Sequence, residues 1–539
     1  MKKIKTKFLK FKKGAIIPIL PLPELEKNNN NSLFEKAIHN NNQMCKENKC
    51  PFCKAGIPIS RHKMKIIQVD PIYCKVDPAS DFLKIKKLFE YESIYWQQGA
   101  YKKTPKKATS CLANHPHKGW LLAGFIPKIK QYCLENNIPF EFESFSFDEK
   151  IKQIEPSLPG ITFREEQLNL VQIATKGKRG IIKSPTGSGK TVLAGGVISQ
   201  FPTANCIFIV HTSALFSQTI EEFQKWFENV GWIGNGEYNP RRITVCMIQS
   251  INKILIKNKT TKKYEHEKYQ EFADLLSEQH IIIVDEAHHL CQQNGHYIET
   301  MEHCLAEIRI GFTATTNPPK NKTKEALVGE GYLGPVIGEF TLEEGIEKGI
   351  LAKPRLKLIP VPFNADLSNS YKKSYPQIYK HGIILNKQRN RLIAKEAALT
   401  IDQNKSVLIM ITDVVHGHAI MIQEILLDVY GHKSFIVNGG TKIDLREEIK
   451  GNLKSKNIKC VIVTNCWSEG INIPSLDNII LAAGGKSDIR VLQSVGRGLR
   501  TSEGKEEILI TDFLDPYPYL AQHSIERLRV YHEMGILNN

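Results

Sequence analysis

Residues 181–193 read IIKSPTGSGKTVL. The apolar run entering this stretch ends at Lys183, and a helical pattern opens at Thr191. Ser184, Pro185, Thr186, Gly187, Ser188, Gly189, Lys190 and Thr191 form the loop between them. Glycines at 187 and 189 let backbone N–H groups approach phosphate oxygens closely. The start of the following helix adds the positive end of its dipole. Lys190 has the reach for β- and γ-phosphates, and the Thr191 hydroxyl suits Mg²⁺. The usual pattern opens with glycine; here Ser184 replaces one small residue with another. A strand, such a loop and a helix in succession predict a nucleotide site with Mg²⁺ on a doubly wound parallel sheet.

The surroundings carry the same signal. GIIKS, ANCIFIVHT, RITVCMI, HIIIVDEAHH and IRIGFTATT alternate with helical patterns up to about residue 345. KSVLIMIT, KSFIVNGG, IKCVIVTN, DNIILAAG and EEILITDF repeat the alternation from about residue 352. Short, nearly all-apolar runs read as parallel strands covered on both faces. The expected class is α/β: two doubly wound parallel-sheet domains in tandem, at 157–350 and 351–539. An irregular α+β accessory region, 1–156, precedes them.

A length of 539 residues suits three or four domains. No run of 18 apolar residues is present, so no membrane partner is expected. The basic start, MKKIKTKFLKFKKG, lacks the apolar stretch of a secretory signal, which points to the cytoplasm. The twelve cysteines are scattered, as in a reduced protein without a disulfide framework. A net charge of +17 suits a polyanion such as nucleic acid. The same lysine excess, with NNNN at 28–31 and abundant isoleucine, also fits a low-GC genome. Charge by itself leaves both open.

A phosphate loop needs a carboxylate at a neighbouring strand end for Mg²⁺ and another to orient water. In HIIIVDEAHH the strand pattern ends at Val284. Asp285 follows as the Mg²⁺ partner and Glu286 as the base. An acidic pair after a strand also suits a helix N-cap, a reading that the phosphate loop outweighs.

Asp285-Glu286-Ala287-His288 resembles the DEAH box of the superfamily 2 helicases, and the other motifs of that family follow in order over about 161–515. The resemblance implies RecA-like domains, ATP with Mg²⁺ as the nucleotide, and a set of roles. Gln167, in Phe163-Arg164-Glu165-Glu166-Gln167, would contact adenine. Residues 210–218 (VHTSALFSQ) and 244–250 (TVCMIQS), with Gln249, would touch the nucleic-acid backbone. His288, Thr313 and Thr315 would link hydrolysis to strand movement. Thr464 and Gly470, in TNCWSEGINIP, resemble motif V. Gln493, Arg497 and Arg500, in QSVGRGLR, resemble motif VI. The two arginines are three apart, share a helix face and would reach the γ-phosphate across the cleft. Thr316 and Asn472 depart from the family's usual Pro and Asp, and the second puts one acidic contact in doubt.

The first third is less legible. Cys45, Cys50 and Cys53, with Cys74 or His62 beyond, have part of the spacing of a Zn²⁺ site; free thiols are the alternative. GWLLAGFIPKIKQYCLENNIPFEF, residues 119–142, reads as an amphipathic helix and then a strand. With FLKIKKLFEYESIYWQQ it resembles the substrate-engaging module of phage-type branched-DNA helicases. Tyr91, Tyr95, Trp96 and Tyr101 lie among lysines, which suits stacking on bases, though rings of this kind also build cores. The expected function is an ATP-dependent DNA helicase or translocase for branched DNA. Nucleic acid is its partner, DNA ahead of RNA, with other replication or recombination proteins beside it. An RNA helicase, a restriction-type motor subunit and a non-catalytic ATP-gated clamp are the alternatives. No nuclease motif supports the second, and an intact Lys190, Glu286 and arginine pair speak against the third.

Overall fold

The structure, a computed structural model, describes residues 8–10, 16–18, 63–98, 103–112, 119–145, 151–258, 260–261, 263–292, 296–314, 324–363, 374–412, 417–464, 476–485, 507–533 and 535–538. One compact unit, Met1–Lys63, contains an antiparallel pair, Phe8–Lys10 with Ile16–Pro18. The other, Met64–Asn539, carries the two large sheets.

The first sheet has eight strands in the order Glu237–Asn239, Val230–Gly234, Ile243–Met247, Cys206–Val210, Ile281–Val284, Ile308–Thr313, Arg179–Lys183, Val336–Glu339. All neighbours run parallel except the first pair. Every residue of Cys206–Val210, Ile281–Val284 and Ile308–Thr313 is buried, which is why these runs are almost wholly apolar. The register sets Lys183 beside Thr313 and Val284 beside Gly311. The loops after three strands therefore open at one edge of the sheet, where ligands bind in folds of this kind.

The second sheet has six parallel strands, Lys353–Pro360, Glu507–Leu514, Asn478–Leu481, Val407–Met410, Cys460–Val463 and Phe435–Val437. Lys353–Pro360 is an edge strand, paired with Glu507–Leu514 over eight positions. An edge position tolerates Pro354 and Pro360 because only one side of the strand needs its N–H groups. One buried ion pair fixes the C-terminal helix Leu520–Glu533 on strand Glu507–Leu514, and a second ties helix Lys387–Asp402 to that strand's end. Arg527 Nε donates to Asp512 at 2.8 Å, Tyr531 donates to the same carboxylate at 2.9 Å, and Arg389 Nε meets Asp515 at 2.8 Å.

A short helix, Leu342–Glu347, joins the two sheets. Thr341 and Glu344 close a capping box at its start, with bonds of 3.1 and 2.7 Å. Its Leu342 and Ile346 pack on the core of the second sheet, whereas Phe340 belongs to the core of the first.

Ahead of the first sheet stands a smaller one, ordered Trp120–Leu122, Tyr73–Asp77, Met64–Gln68, Phe140–Glu143, with helix Ile126–Glu135 between its outer strands in sequence. The helix and strand expected in 119–142 both form. This module shares one apolar core with the first large sheet, through helix Lys324–Leu333. A Cβ at Gly124 would lie 2.2 Å from the Glu330 carbonyl oxygen, so only glycine permits the approach. Lys128 Nζ meets Glu330 at 2.6 Å beside it. Arg179 donates to the Pro71 carbonyl, and burial, with Arg309 near it, pushes Arg179 down to about 9. Asp70 supplies the negative charge facing both arginines.

Candidate nucleotide site

The loop after Arg179–Lys183 is held in shape by its own serines. Ser184 N–H donates to the Thr313 carbonyl at 2.9 Å, which ties the loop entry to the next strand. Ser184 and Ser188 are both buried, and their hydroxyls hydrogen-bond to each other. Ser188 Oγ also donates to the Pro185 carbonyl at 2.8 Å. A hydroxyl has a single proton, so Ser184 is the donor of the pair. Serine at the first position thus adds a cross-loop bond that glycine cannot supply.

The Ser188 carbonyl is gripped from the other side. It accepts from Gln167 Nε2 at 3.1 Å and from the Arg164 guanidinium. Gln167 Oε1 in turn accepts from Arg164 N–H at 3.2 Å. One end of Gln167 therefore braces the phosphate loop, and the other closes the start of its own helix. Gly187 and Gly189 have φ of +94° and +97°, in the left-handed region. A Cβ at Gly189 would sit 2.6 Å from Gln167 Nε2. Helix Lys190–Ser199 begins there with no side chain capping it, so its first N–H groups face the loop opening.

Lys190 Nζ lies 3.2 Å from Glu286 Oε1, with the two side chains only 12% and 11% exposed. His288 Nδ1 is 3.3 Å from Glu286 Oε2 and 3.1 Å from Thr313 Oγ1. A continuous polar chain thus runs from the phosphate loop through the DEAH residues to the Thr313 strand end. Glu286 takes φ +48°, a conformation that costs a non-glycine residue about 1–2 kcal/mol. Neighbouring strands hold it there: Asp285 N–H donates to Ile209 O at 3.0 Å and Ala287 N–H to Phe312 O at 2.8 Å. Such strain is concentrated at functional sites.

The charges are set by surroundings. Burial pushes the Asp285 carboxyl up to about 6, helped by Glu286 and opposed by Lys190 and His211. Burial acts the same way on Glu286, but Lys190 and His288 outweigh it and hold that carboxyl well below the usual range. The set fits a magnesium-bound nucleotide: two left-handed glycines, a helix start without a side-chain cap, an ordered lysine, and Asp285 and Thr191 at adjoining strand and helix ends.

Contacts that the sequence did not reveal complete the site. His211 packs at a tilt against His289, 4.1 Å between ring centres, and His289 lies 4.2 Å from His288. Gln249 Nε2 donates to the His211 carbonyl at 2.7 Å, so this glutamine locks two segments of the site together. Glu166 accepts from Arg164 Nε at 2.6 Å and from Lys348 Nζ at 3.1 Å, which joins the Gln167 turn to the inter-sheet helix. The doubled His after DEA and the Arg in FREEQ were the available signals. Thr464, at the end of Cys460–Val463, is buried, and its N–H donates to Val437 O at 3.1 Å. Thr315, Gly470, Gln493, Arg497 and Arg500 lie outside the described residues.

Of the expected zinc set, Cys45, Cys50 and Cys53 also lie outside the described residues. Cys74 is a core thiol: it is fully buried, donates to Leu122 O at 3.6 Å, and burial pushes it up to about 12. Among the described residues no cluster of three or more His, Cys, Asp or Glu has the arrangement of a metal site, and no helix is long and apolar enough to cross a membrane.

Comparison with known proteins places the chain among helicases. Residues 149–318 match the type III restriction enzyme res subunit family, and residues 380–502 match the helicase conserved C-terminal domain. The DNA 3'-5' translocase XPB2 of Sulfurisphaera tokodaii is 26% identical over 426 residues, covering 71% of this chain and 87% of that protein. The ATP-dependent DNA helicase uvsW of Enterobacteria phage T4 is 24% identical over 387 residues, covering 66% and 72%. A fragment of an HsdR-type subunit of a type I restriction enzyme from Vibrio vulnificus YJ016 shares the fold, with a TM-score of 0.50 at 18% identity over 83% of this chain and 78% of that one. With two helicase domains matched in order, and a phosphate loop joined to its DEAH residues, the chain is a superfamily 2 helicase that resembles the helicases of phages.

Proposed function

We propose that this helicase is a DNA motor, coupling ATP hydrolysis to the unwinding or remodelling of branched DNA. One observation carries the reading: the polar chain Lys190–Glu286–His288–Thr313 connects the phosphate loop to the strand end that adjoins the motif linked with strand movement. Residues 184–191 cradle the triphosphate, and Lys190 leaves Glu286 for the β- and γ-phosphates. Glu286, once free of Lys190, orients the attacking water, and Arg497 with Arg500 stabilises the developing charge from the second domain. Asp285 and Thr191 would hold Mg²⁺, which would supply positive charge to the phosphates. The names of the translocase and the phage helicase support DNA as the nucleic acid.

The test is ATPase activity with and without DNA, paired with strand separation on forked DNA, four-way junctions and RNA–DNA hybrids. The reading expects DNA-stimulated turnover and separation of branched DNA. Preference for the hybrid would overturn the DNA assignment. Tight, nucleotide-dependent binding without turnover would make the protein a clamp.

A further inference from the structure

In the second sheet the register sets Pro360 beside Leu514 and Met410 beside Leu481, so the segments after four strands leave from one edge. Thr464 follows Cys460–Val463 on the same edge, the one where ligands bind in folds of this kind. An aromatic cluster is built there. The Tyr379 hydroxyl donates to the Ala483 carbonyl at 2.6 Å and meets the Thr412 hydroxyl, which ties helix Tyr375–Tyr379 to the ends of two central strands. Phe363 follows Lys353–Pro360, and Tyr517 and Tyr519 follow Glu507–Leu514.

Tyr517 is fully buried and centres a small core with Ile378, Ile383 and Leu520. Three rings around it are turned outward: Tyr375 is 40% exposed, Tyr519 55% and Phe363 59%. Phe363 stacks on Tyr517 at 5.8 Å between ring centres, and Tyr375 meets Tyr519 edge to face at 6.3 Å. Single exposed rings are ordinary, but a group of them marks a binding surface. The backbone beneath is unusual twice. Tyr519 takes φ +61°, an outlier for so bulky a residue, and His523 N–H holds it by donating to its carbonyl at 2.9 Å. Beyond Tyr379 the chain makes a π turn, Lys380–Ile384, a rare geometry that gathers at functional sites.

Charge selects the occupant. Residues 374–387, SYPQIYKHGIILNK, and 516–525, PYPYLAQHSI, contain no acidic residue and carry two lysines and two histidines. The carboxylates just inside, Asp512 and Asp515, are already paired with Arg527 and Arg389. An unstacked base on its phosphodiester strand offers both a flat face and negative charge. Every base has such a face, so rings of this kind suit a motor that must pass any sequence.

We propose that Tyr375 and Tyr519 form a stacking platform for bases of the single strand that the second domain holds. The proposal rests on the DNA reading above and adds that this domain grips bases.

The full chain is titrated with a labelled thymidine oligonucleotide and with an abasic strand of the same length and charge. Alanine in place of a stacked ring lowers affinity roughly 5- to 150-fold per base. Y375A/Y519A should therefore bind the thymidine strand at least about fivefold more weakly, and the abasic strand as wild type does. Its slope of log K against log salt should stay unchanged, since no phosphate contact is lost. Y375F/Y519F, which keeps both rings, should match wild type on both strands. Tyr519→Gly removes one ring and relaxes the left-handed backbone, so thymidine binding should weaken while Tm holds or rises. Equal affinity of the wild type for both strands, equal loss on the abasic strand, loss in the phenylalanine variant, or a fall of Tm in Tyr519→Gly overturns the proposal. So does unchanged thymidine binding by Y375A/Y519A, which would leave the rings to a protein partner. A wild-type chain that binds neither strand overturns the DNA reading itself, and the proposal with it.

Discussion

Replacing Glu286 with Gln separates the two tasks that the geometry gives this residue. In the nucleotide-free protein Glu286 holds Lys190 at 3.2 Å in a nearly closed site. Coulomb's law at that distance, with an effective dielectric near 20, gives about 5 kcal/mol of gross attraction. Desolvation of both ions takes back most of it, leaving about 1–2 kcal/mol net. Glutamine keeps the shape and can still accept from Lys190, but it removes the charge. The free protein is destabilised by that 1–2 kcal/mol. The ATP-bound protein loses less, because phosphate oxygens replace the carboxylate as partners of Lys190. ATP affinity should therefore tighten by roughly 5–30-fold, since 1.4 kcal/mol is a factor of ten. Turnover should fall at least about a hundredfold through loss of the group that orients water. Calorimetric titration with a non-hydrolysable ATP analogue, thermal unfolding with and without it, and steady-state ATPase measure the three effects. Weaker nucleotide binding by Glu286→Gln, or turnover within tenfold of wild type, would refute the reasoning.

Three further outcomes follow from other parts of the chain. Ser184→Ala removes the donor to Ser188 but leaves the Ser188–Pro185 bond, at a cost of about 0.5–1.5 kcal/mol in loop order. KM for ATP should rise about two- to tenfold with kcat nearly unchanged, and a large fall in kcat alone would contradict it. Asp512→Ala leaves Arg527 and Tyr531 without their shared carboxylate and should destabilise the second domain by about 3–5 kcal/mol, read as a lowered Tm. A Tm within 1 °C of wild type would show that the pair is not buried as described. Any zinc that purified protein holds through Cys45, Cys50 and Cys53 should survive Cys74→Ala, since Cys74 is buried in the core and bonded to Leu122 O; loss of metal on that substitution would make Cys74 a ligand.

Parallel strands wrote themselves plainly into the chain, because burial on both faces forces runs such as CIFIV and IIIV. The phosphate loop and the DEAH residues were equally visible, since their chemistry fixes residue types at fixed spacing. Lys353–Pro360 was not. An edge strand half open to solvent alternates in burial and tolerates proline, so it looks like a linker. Hidden too were contacts between distant segments: Lys190 with Glu286, Glu166 with Lys348, Gln249 with His211. Their pairing depends on strand order and register, which local patterns do not encode. The left-handed Glu286 had no signal at all, because only the strands on either side hold it in that conformation.

Lys190 joins the phosphate loop to Glu286, so it is where hydrolysis and DNA movement should fail together. Wild type and Lys190→Ala are compared on a forked DNA with ATP, following strand separation and phosphate release in one reaction. The expected result is DNA-stimulated release with separation in the wild type, and loss of both in the variant while DNA binding persists. Separation of the fork by Lys190→Ala at the wild-type rate would contradict the assignment of this site as the source of the motor's work.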